Sequence, residues 1–294
     1  VVDGASVYTS YMRDGGASGT YIRLVSGLFR YYPDLGGWGE IASGSVLVAG
    51  AVQFGGLGYT YAVATQADAL AVAETVYGGI YYRSVQDAFG AMVPGSTITL
   101  INDVNRQLGT SKACVLDLGG HVLSYSGDIF EVYNCEVTIR NGTIRELGSG
   151  VSCFKLSANG TLNLESDVSI EGAAGQNTNC FYIPGDGATV NILGADISTT
   201  RIFSSNWPQG VSVSVTGAGK YPGEILWPGI PSPASGTIAV AGGWWNEDPS
   251  AYLASGLEGL KVSDHGESYA ARGFPCRYHV HSGAVDSGII VIVR

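Results

Sequence analysis

Long apolar runs are missing from this chain. No stretch approaches the roughly 18 to 20 residues that a membrane-spanning helix needs, and the apolar run at 288–293 is far too short. No membrane span is therefore expected. Basic residues are scarce as well: 15 Lys and Arg stand against 25 Asp and Glu, for a formal net charge of −10. The positive residues are scattered, so the footprint of a nucleic-acid binder is absent and a phosphate backbone is repelled. Five Cys do not make a disulfide framework. Charged residues amount to 14% and Met to 2, which leaves little material for long surface helices. No signal-peptide pattern opens the chain, and a start at Val1-Val2-Asp3 without Met reads as processed or trimmed.

What the chain has instead is turn formers, 44 Gly and 10 Pro with 17 Tyr, arranged around a repeat. About every 18 to 28 residues two apolar residues flank one outward-pointing residue and a turn follows. The copies are Ile98-Thr99-Leu100, Leu116-Asp117-Leu118, Val137-Thr138-Ile139, Leu162-Asn163-Leu164, Val190-Asn191-Ile192, Val213-Ser214-Val215 and Ile238-Ala239-Val240. A second ladder runs in step: Ile129-Phe130-Glu131-Val132, Cys153-Phe154-Lys155-Leu156, Cys180-Phe181-Tyr182-Ile183 and, more weakly, Ile202-Phe203-Ser204-Ser205. A third set is Leu123, Ile144, Ile170 and Ile197. Three short strands per repeat mean a β-helix rather than a propeller blade. Strand residues alternate between faces, and a unit this small buries its apolar side only by stacking on its neighbours. The expected fold is all-β, a right-handed parallel β-helix with a small N-terminal β region and a capping helix.

The chain divides into residues 1–64, a Gly- and Tyr-rich β region for anchoring or assembly, 65–95, a linker and capping helix, 96–255, the parallel β-helix, and 256–294, a C-terminal β extension. Within 1–64 a convincing alternating strand runs from Val46 through Val48 and Val52 to Phe54. Residues 65–76 read as a short helix or linker. The clearer helix, 84–93, carries Val85, Ala88, Phe89 and Met92 on one face, resembles a capping box at Ser84 and Asp87, and stops at Pro94-Gly95. It is expected to plug the open end of the coil, whose unpaired edges would otherwise be exposed. Cys114 and Cys135 are expected to point inward at one level of adjacent turns, and Cys153 and Cys180 likewise on the other strand, as small apolar fillers.

The passage from Tyr82 to Phe89 leading into Gly95-Ser96-Thr97-Ile98-Thr99-Leu100-Ile101-Asn102-Asp103-Val104 resembles the opening of secreted bacterial β-helix surface proteins. Leu116-Asp117-Leu118-Gly119-Gly120-His121-Val122-Leu123, Asn141-Gly142-Thr143-Ile144 and Gly243-Trp244-Trp245-Asn246-Glu247-Asp248-Pro249-Ser250-Ala251-Tyr252-Leu253 are similar to phrases of that group. The resemblance covers residues 80 to 260. It implies a right-handed, pectate-lyase-like coil displayed on a cell surface, with similar coils in phage tail spikes and capsid appendages. It implies no activity, because adhesins, spikes and enzymes share such coils.

An enzyme of this fold needs paired carboxylates at a fixed separation or acidic calcium ligands beside a base. The first outward row reads Thr99, Asp117, Thr138, Asn163, Asn191, Ser214, Ala239, and the second reads Glu131, Lys155, Tyr182, Ser204. Neither poises an acid against a base; Glu131 and Lys155 read as a cross-strand ion pair. Asp128, Glu165, Asp167, Glu171, Asp186 and Asp196 sit in turns. Glu165, Asp167 and Glu171 lie close together, yet their spacing fits no calcium loop, and solvated turn positions account for them. His279 and His281 share a strand face without a third zinc ligand. Gly55-Gly56-Leu57-Gly58 lacks the frame of a phosphate loop. Asn141-Gly142-Thr143 and Asn159-Gly160-Thr161 match the glycosylation pattern but read as turns. No catalytic residue, metal or cofactor is expected.

One constellation points to a ligand. Trp207-Pro208, Tyr221-Pro222, Trp227-Pro228 and Trp244-Trp245 place aromatics near turns of the last coils, where a shallow groove would stack sugar rings. The candidate ligand-binding residues are thus Trp207, Tyr221, Trp227, Trp244, Trp245 and the outward Tyr182. The competing reading is that these rings close the lower end of the coil. The apolar end at 287–294 is a sticky edge, so self-association is expected, and the viral likeness suggests a trimer. The expected function is a non-enzymatic structural and attachment protein of a bacterial cell surface or virion surface, extracellular, binding a glycan or surface receptor. The alternatives are a polysaccharide lyase or glycoside hydrolase of the same fold, and a purely architectural fibre or capsid-decoration subunit.

Overall fold

The computed structural model describes residues 5–7, 22–29, 32–33, 39–50, 61–174, 176–204, 207–226, 231–234, 237–257, 259–266 and 276–282. It divides into two compact units, Val1–Val104 and Asn105–Arg294.

In the first unit the alternating Val46-Leu47-Val48 pattern forms the strand Ser45–Ala49, antiparallel to Tyr61–Thr65 and parallel to Ile80–Tyr82. The expected continuation through Val52 and Phe54 lies outside the described residues. Gly27–Phe29 pairs antiparallel with Tyr61–Thr65 and parallel with Ala5–Val7. Leu24, Phe29, Leu47 and Val63 form a small core, with Ile41, Tyr61 and Ile80 packed against it. The segment read as a linker holds more structure than its composition announces. Helix α1, Gln66–Val72, starts at Thr65, whose hydroxyl accepts from the Asp68 N–H. The Asn102 amide donates to the Leu70 and Ala73 carbonyls near its other end. A two-residue hairpin then joins Thr75–Tyr77 to Ile80–Tyr82 through Gly78 and Gly79 at φ 58° and 77°, the left-handed pair that such a turn demands. Helix α2, Val85–Ala91, buries Val85, Ala88 and Phe89 as its spacing predicts. Ser84 caps it, accepting from Gln86 rather than from the third residue of a capping box, and the Glu74 carboxylate accepts from the Val85 N–H. Strand Ser96–Leu100 pairs antiparallel with Thr75–Tyr77.

The second unit is a parallel β-helix of about five turns. Its first ladder comprises Cys114–Asp117, Glu136–Arg140, Thr161–Leu164, Thr189–Leu193, Ser212–Thr216 and Ile238–Val240, all parallel. The second comprises Leu108–Thr110, Phe130–Tyr133, Ser152–Ser157, Asn179–Tyr182, Arg201–Phe203 and Glu224–Leu226. The third comprises Val122–Tyr125, Gly142–Glu146, Val168–Glu171 and Asp196–Ser198. Neighbouring strands lie about 4.8 Å apart, so identical inward positions stack into columns. Phe130, Phe154, Phe181 and Phe203 are in register, and the rings of the last three stack at centroid separations of 5.6 and 5.3 Å. Leu123, Ile144, Ile170 and Ile197 form the third column as expected.

The register of the first coil differs from the expectation. Cys114-Val115-Leu116, not Leu116-Asp117-Leu118, lies opposite Val137-Thr138-Ile139. The shift is two residues, so inward and outward faces are kept and Leu118 is still buried. Asp117 moves off the neutral outward row to face Arg140, with Nε to Oδ2 at 3.0 Å. It also separates the first cysteine pair: Cys114 sits opposite Val137, whereas Cys135 is half-buried and its thiol donates to the Thr110 carbonyl at 3.5 Å. Cys153 and Cys180 do lie buried side by side, between the register pairs Ser152 with Asn179 and Phe154 with Phe181. All five cysteines are free.

Past Leu253 the chain returns on itself. Tyr278–Ser282 pairs antiparallel with both Gly243–Trp245 and Leu260–Asp264; Leu260–Asp264 and Tyr278–Ser282 lie in the stretch 256–294 read as a C-terminal β extension. The apolar segment 287–294 lies outside the described residues.

Candidate ligand-binding groove

The six aromatic candidates are not brought together. Lys220–Tyr221 packs beneath Asp196–Ser198 and pairs with Gly243–Trp245, Tyr221 opposite Trp245. Both rings therefore point into the coil and continue the isoleucine column; they are buried, with centroids 4.3 Å apart. Neither offers a face to a sugar, which corrects the reading of a groove built on them. Trp207 packs on Phe203 at 5.4 Å and 55°, beside the column that Leu226 continues in register with Phe203. Trp244 alternates outward from Trp245, and His279 covers it in parallel stacking at 4.0 Å and 11°. His281 stacks in turn on His279, and no three His, Cys, Asp or Glu side chains converge as a metal set among the described residues. Trp227 and the glycine run at 55–58 lie outside the described residues.

Tyr182 is the exception. It stands opposite Lys155 on the outward face of the second ladder and is 39% exposed. It borders a cavity of about 490 Å³ lined also by Asp128, Ser152, Asn179 and Ser204. This cavity lies where the third ladder hands the chain on to the second ladder of the next coil. Further along the same line of turns, Thr178, Thr199, Thr200, Asn177 and Asn246 line a second cavity of about 770 Å³. The corner forms because its turns are built from small residues. A Cβ on Gly172 would lie 2.1 Å from the Thr178 hydroxyl, and one on Gly223 would lie 2.2 Å from the Thr199 carbonyl oxygen.

Buried polar side chains gather at this corner: Glu146, Ser152, Thr178, Asn179 and Thr199. Most are satisfied locally. The Thr199 hydroxyl donates to the Arg201 carbonyl at 2.7 Å, and Thr200 donates to the Gln176 carbonyl at 2.8 Å. Ser152 and Ser204 hydroxyls meet at 3.3 Å, and the Ser152 N–H donates to Asp128 Oδ1 at 3.3 Å. Two acceptors have no partner among the described residues, Asn179 Oδ1 and Glu146 Oε2. A buried acceptor without a donor costs roughly 1–3 kcal/mol. Burial pushes the Glu146 carboxyl up, and the Asp128 carboxylate adds to the shift against the opposing Gly148 and Leu147 N–H groups. Glu146 Oε1 accepts from the Gly148 N–H at 2.7 Å.

The other outward rows satisfy themselves. Asn191 donates to Asn163 at 2.8 Å, and Asn163 donates to Thr138 and Glu136. Glu131 pairs with Lys155 at 3.1 Å as the sequence indicates. Glu171, expected in a turn, instead ends the strand Val168–Glu171 opposite Arg145, which holds it at 2.8 Å. Sequence reasoning named Asp128 as a turn carboxylate and put Tyr182 and Ser204 in one outward row, but it missed Ser152 and Asn179. The polar residue just before each Cys-Phe pair was the available signal. No family model, curated protein or solved structure matches this chain.

Proposed function

We propose that this is a non-enzymatic, extracellular attachment protein whose β-helix displays a glycan-binding groove along one corner. The observation that supports it is the cavity at Tyr182, where one exposed aromatic ring stands among hydroxyl, amide and carboxylate groups and a buried amide oxygen has no donor among the described residues. Sugars present a flat apolar face beside many hydroxyls, and a pocket with one aromatic surface and a few placed polar groups matches that chemistry. A bacterial cell surface or a virion surface is the setting that accords with the resemblance. A panel of immobilised glycans tests the reading: Tyr182→Ala is expected to weaken binding by tenfold or more with an unchanged melting temperature. Equal binding by the variant removes the groove from consideration.

A second reading, hydrolysis, draws on Glu146, whose raised carboxyl beside Asp128 has the character of a general acid next to a base. Glu146 is fully buried and does not border the cavity, whereas Asp128 does, so attachment accounts for the geometry better. Release of reducing ends from a bound polysaccharide, abolished by Glu146→Gln, would reverse that preference.

A further inference from the structure

We infer that the glycan taken by this groove carries a free amine, a cationic hexosamine seated with its ammonium on Asp128; this rests on the attachment reading above. The buried Glu146 at this corner makes no ion pair among the described residues, but it does not border the cavity; three other carboxylates there have cations. Glu171 is paired with Arg145 at 2.8 Å, Asp196 with Lys220 at 3.6 Å and Glu224 with Arg201 at 2.9 Å. Asp128 is different. It borders the cavity and accepts from the Ser152 N–H, and it makes no ion pair among the described residues. Beside it Asn179, 2% exposed, donates through Nδ2 to the Val151 carbonyl at 3.3 Å, and its Oδ1 has no donor among the described residues.

Together these are a carboxylate without a cation at the opening and, enclosed behind it, an acceptor without a donor among the described residues. An occupant has to bring positive charge and hydrogen-bond donors, because acceptors facing acceptors would add desolvation without compensation. An ammonium offers three donors, and its bond to a carboxylate is the strong, charge-assisted kind. Uronates, sialylated and sulfated sugars bring the wrong sign, both to Asp128 and to a chain of net charge −10. Tyr182 supplies the surface on which the sugar ring lies, and a cation near a tyrosine face gains further.

Calorimetric titration of the full chain with three oligosaccharides of equal length tests this: glucosamine, its N-acetylated form and galacturonate. Expected is binding of the glucosamine oligomer, about tenfold or more tighter than the N-acetylated one, weakening with added salt and lost with galacturonate. Asp128→Asn keeps an oxygen for the Ser152 N–H and is expected to erase the preference for the free amine. Equal or tighter binding of the N-acetylated or uronate oligomer overturns the amine assignment while the attachment reading stands. Binding of none of the three overturns both. A simple diamine that binds as tightly as the oligosaccharide would reduce the site to an ammonium pocket and likewise overturn the sugar assignment.

Discussion

Glu146 and Tyr221 show how much depends on where a single polar atom ends up. The Glu146 carboxyl is held above its ordinary value of 4.5, first by burial. A raised acid binds its proton more tightly in the fold than in the unfolded chain. Its contribution is therefore fully present below the ordinary value and is lost as pH rises through the folded one. Glu146→Gln is expected to flatten the fall in melting temperature between acid and neutral pH; parallel curves for the two proteins would refute the assignment. Tyr221 buries a hydroxyl with no partner among the described residues, and burial pushes its ionisation up. Tyr221→Phe removes the orphaned group and keeps the ring on Trp245, so denaturant unfolding is expected to show equal or greater stability. Phe181 is the opposite case. Its ring lies between those of Phe154 and Phe203, and Phe181→Ala is expected to cost about 3–5 kcal/mol, since neither neighbour can close a gap of that size.

At the scale of elements, two glycines with the same chemistry have opposite roles. Gly90 lies inside helix α2, and a Cβ there meets nothing within 4 Å. Gly90→Ala is expected to stabilise the protein by roughly 0.5–1 kcal/mol by restricting the unfolded chain. Gly223 lies in a corner turn where a Cβ would strike the Thr199 and Thr200 backbone of the coil above. Gly223→Ala is expected to destabilise the coil and to loosen the groove, read as a lower melting temperature and weaker glycan binding; a neutral result would mean that the turn is not packed as described. The ladders also explain why strands were easier to read than their exact register. Burial on one face fixes parity, which is a property of every second residue. A shift of two, such as the one that sets Cys114 rather than Leu116 opposite Val137, preserves the pattern and leaves no trace in it.

At the scale of the molecule, the coil is quasi-one-dimensional. Each turn rests on the turns above and below, so stability accumulates from neighbour to neighbour. The net charge of −10 belongs to this scale as well: no retention on immobilised duplex DNA is expected even at low salt, and retention would contradict the absence of a basic footprint. Self-association is the remaining property of the whole. Light scattering that gives three chains per particle would favour a virion or fibre role, and a single chain would favour a modular adhesin.

The sequence alone determined the β-helix, its three ladders, the phenylalanine column and the helix with Val85, Ala88 and Phe89 inside, because each rests on local periodicity that survives without knowledge of the partner. It also carried the Glu131–Lys155 pair, once the rows were in step. Only the tertiary structure decided which aromatics are core. Tyr221 and Trp245 look like surface anchors beside turns, yet they fall on the inward position of a column whose earlier members are isoleucines, and alternation along one strand sends Trp244 out and Trp245 in. The groove was decided there too. Asp128, Ser152, the Asn179 and Tyr182 of one strand, and Ser204 come from four successive coils and meet only because the turns stack, a spacing set by backbone hydrogen bonds between coils and by no pattern within any one of them.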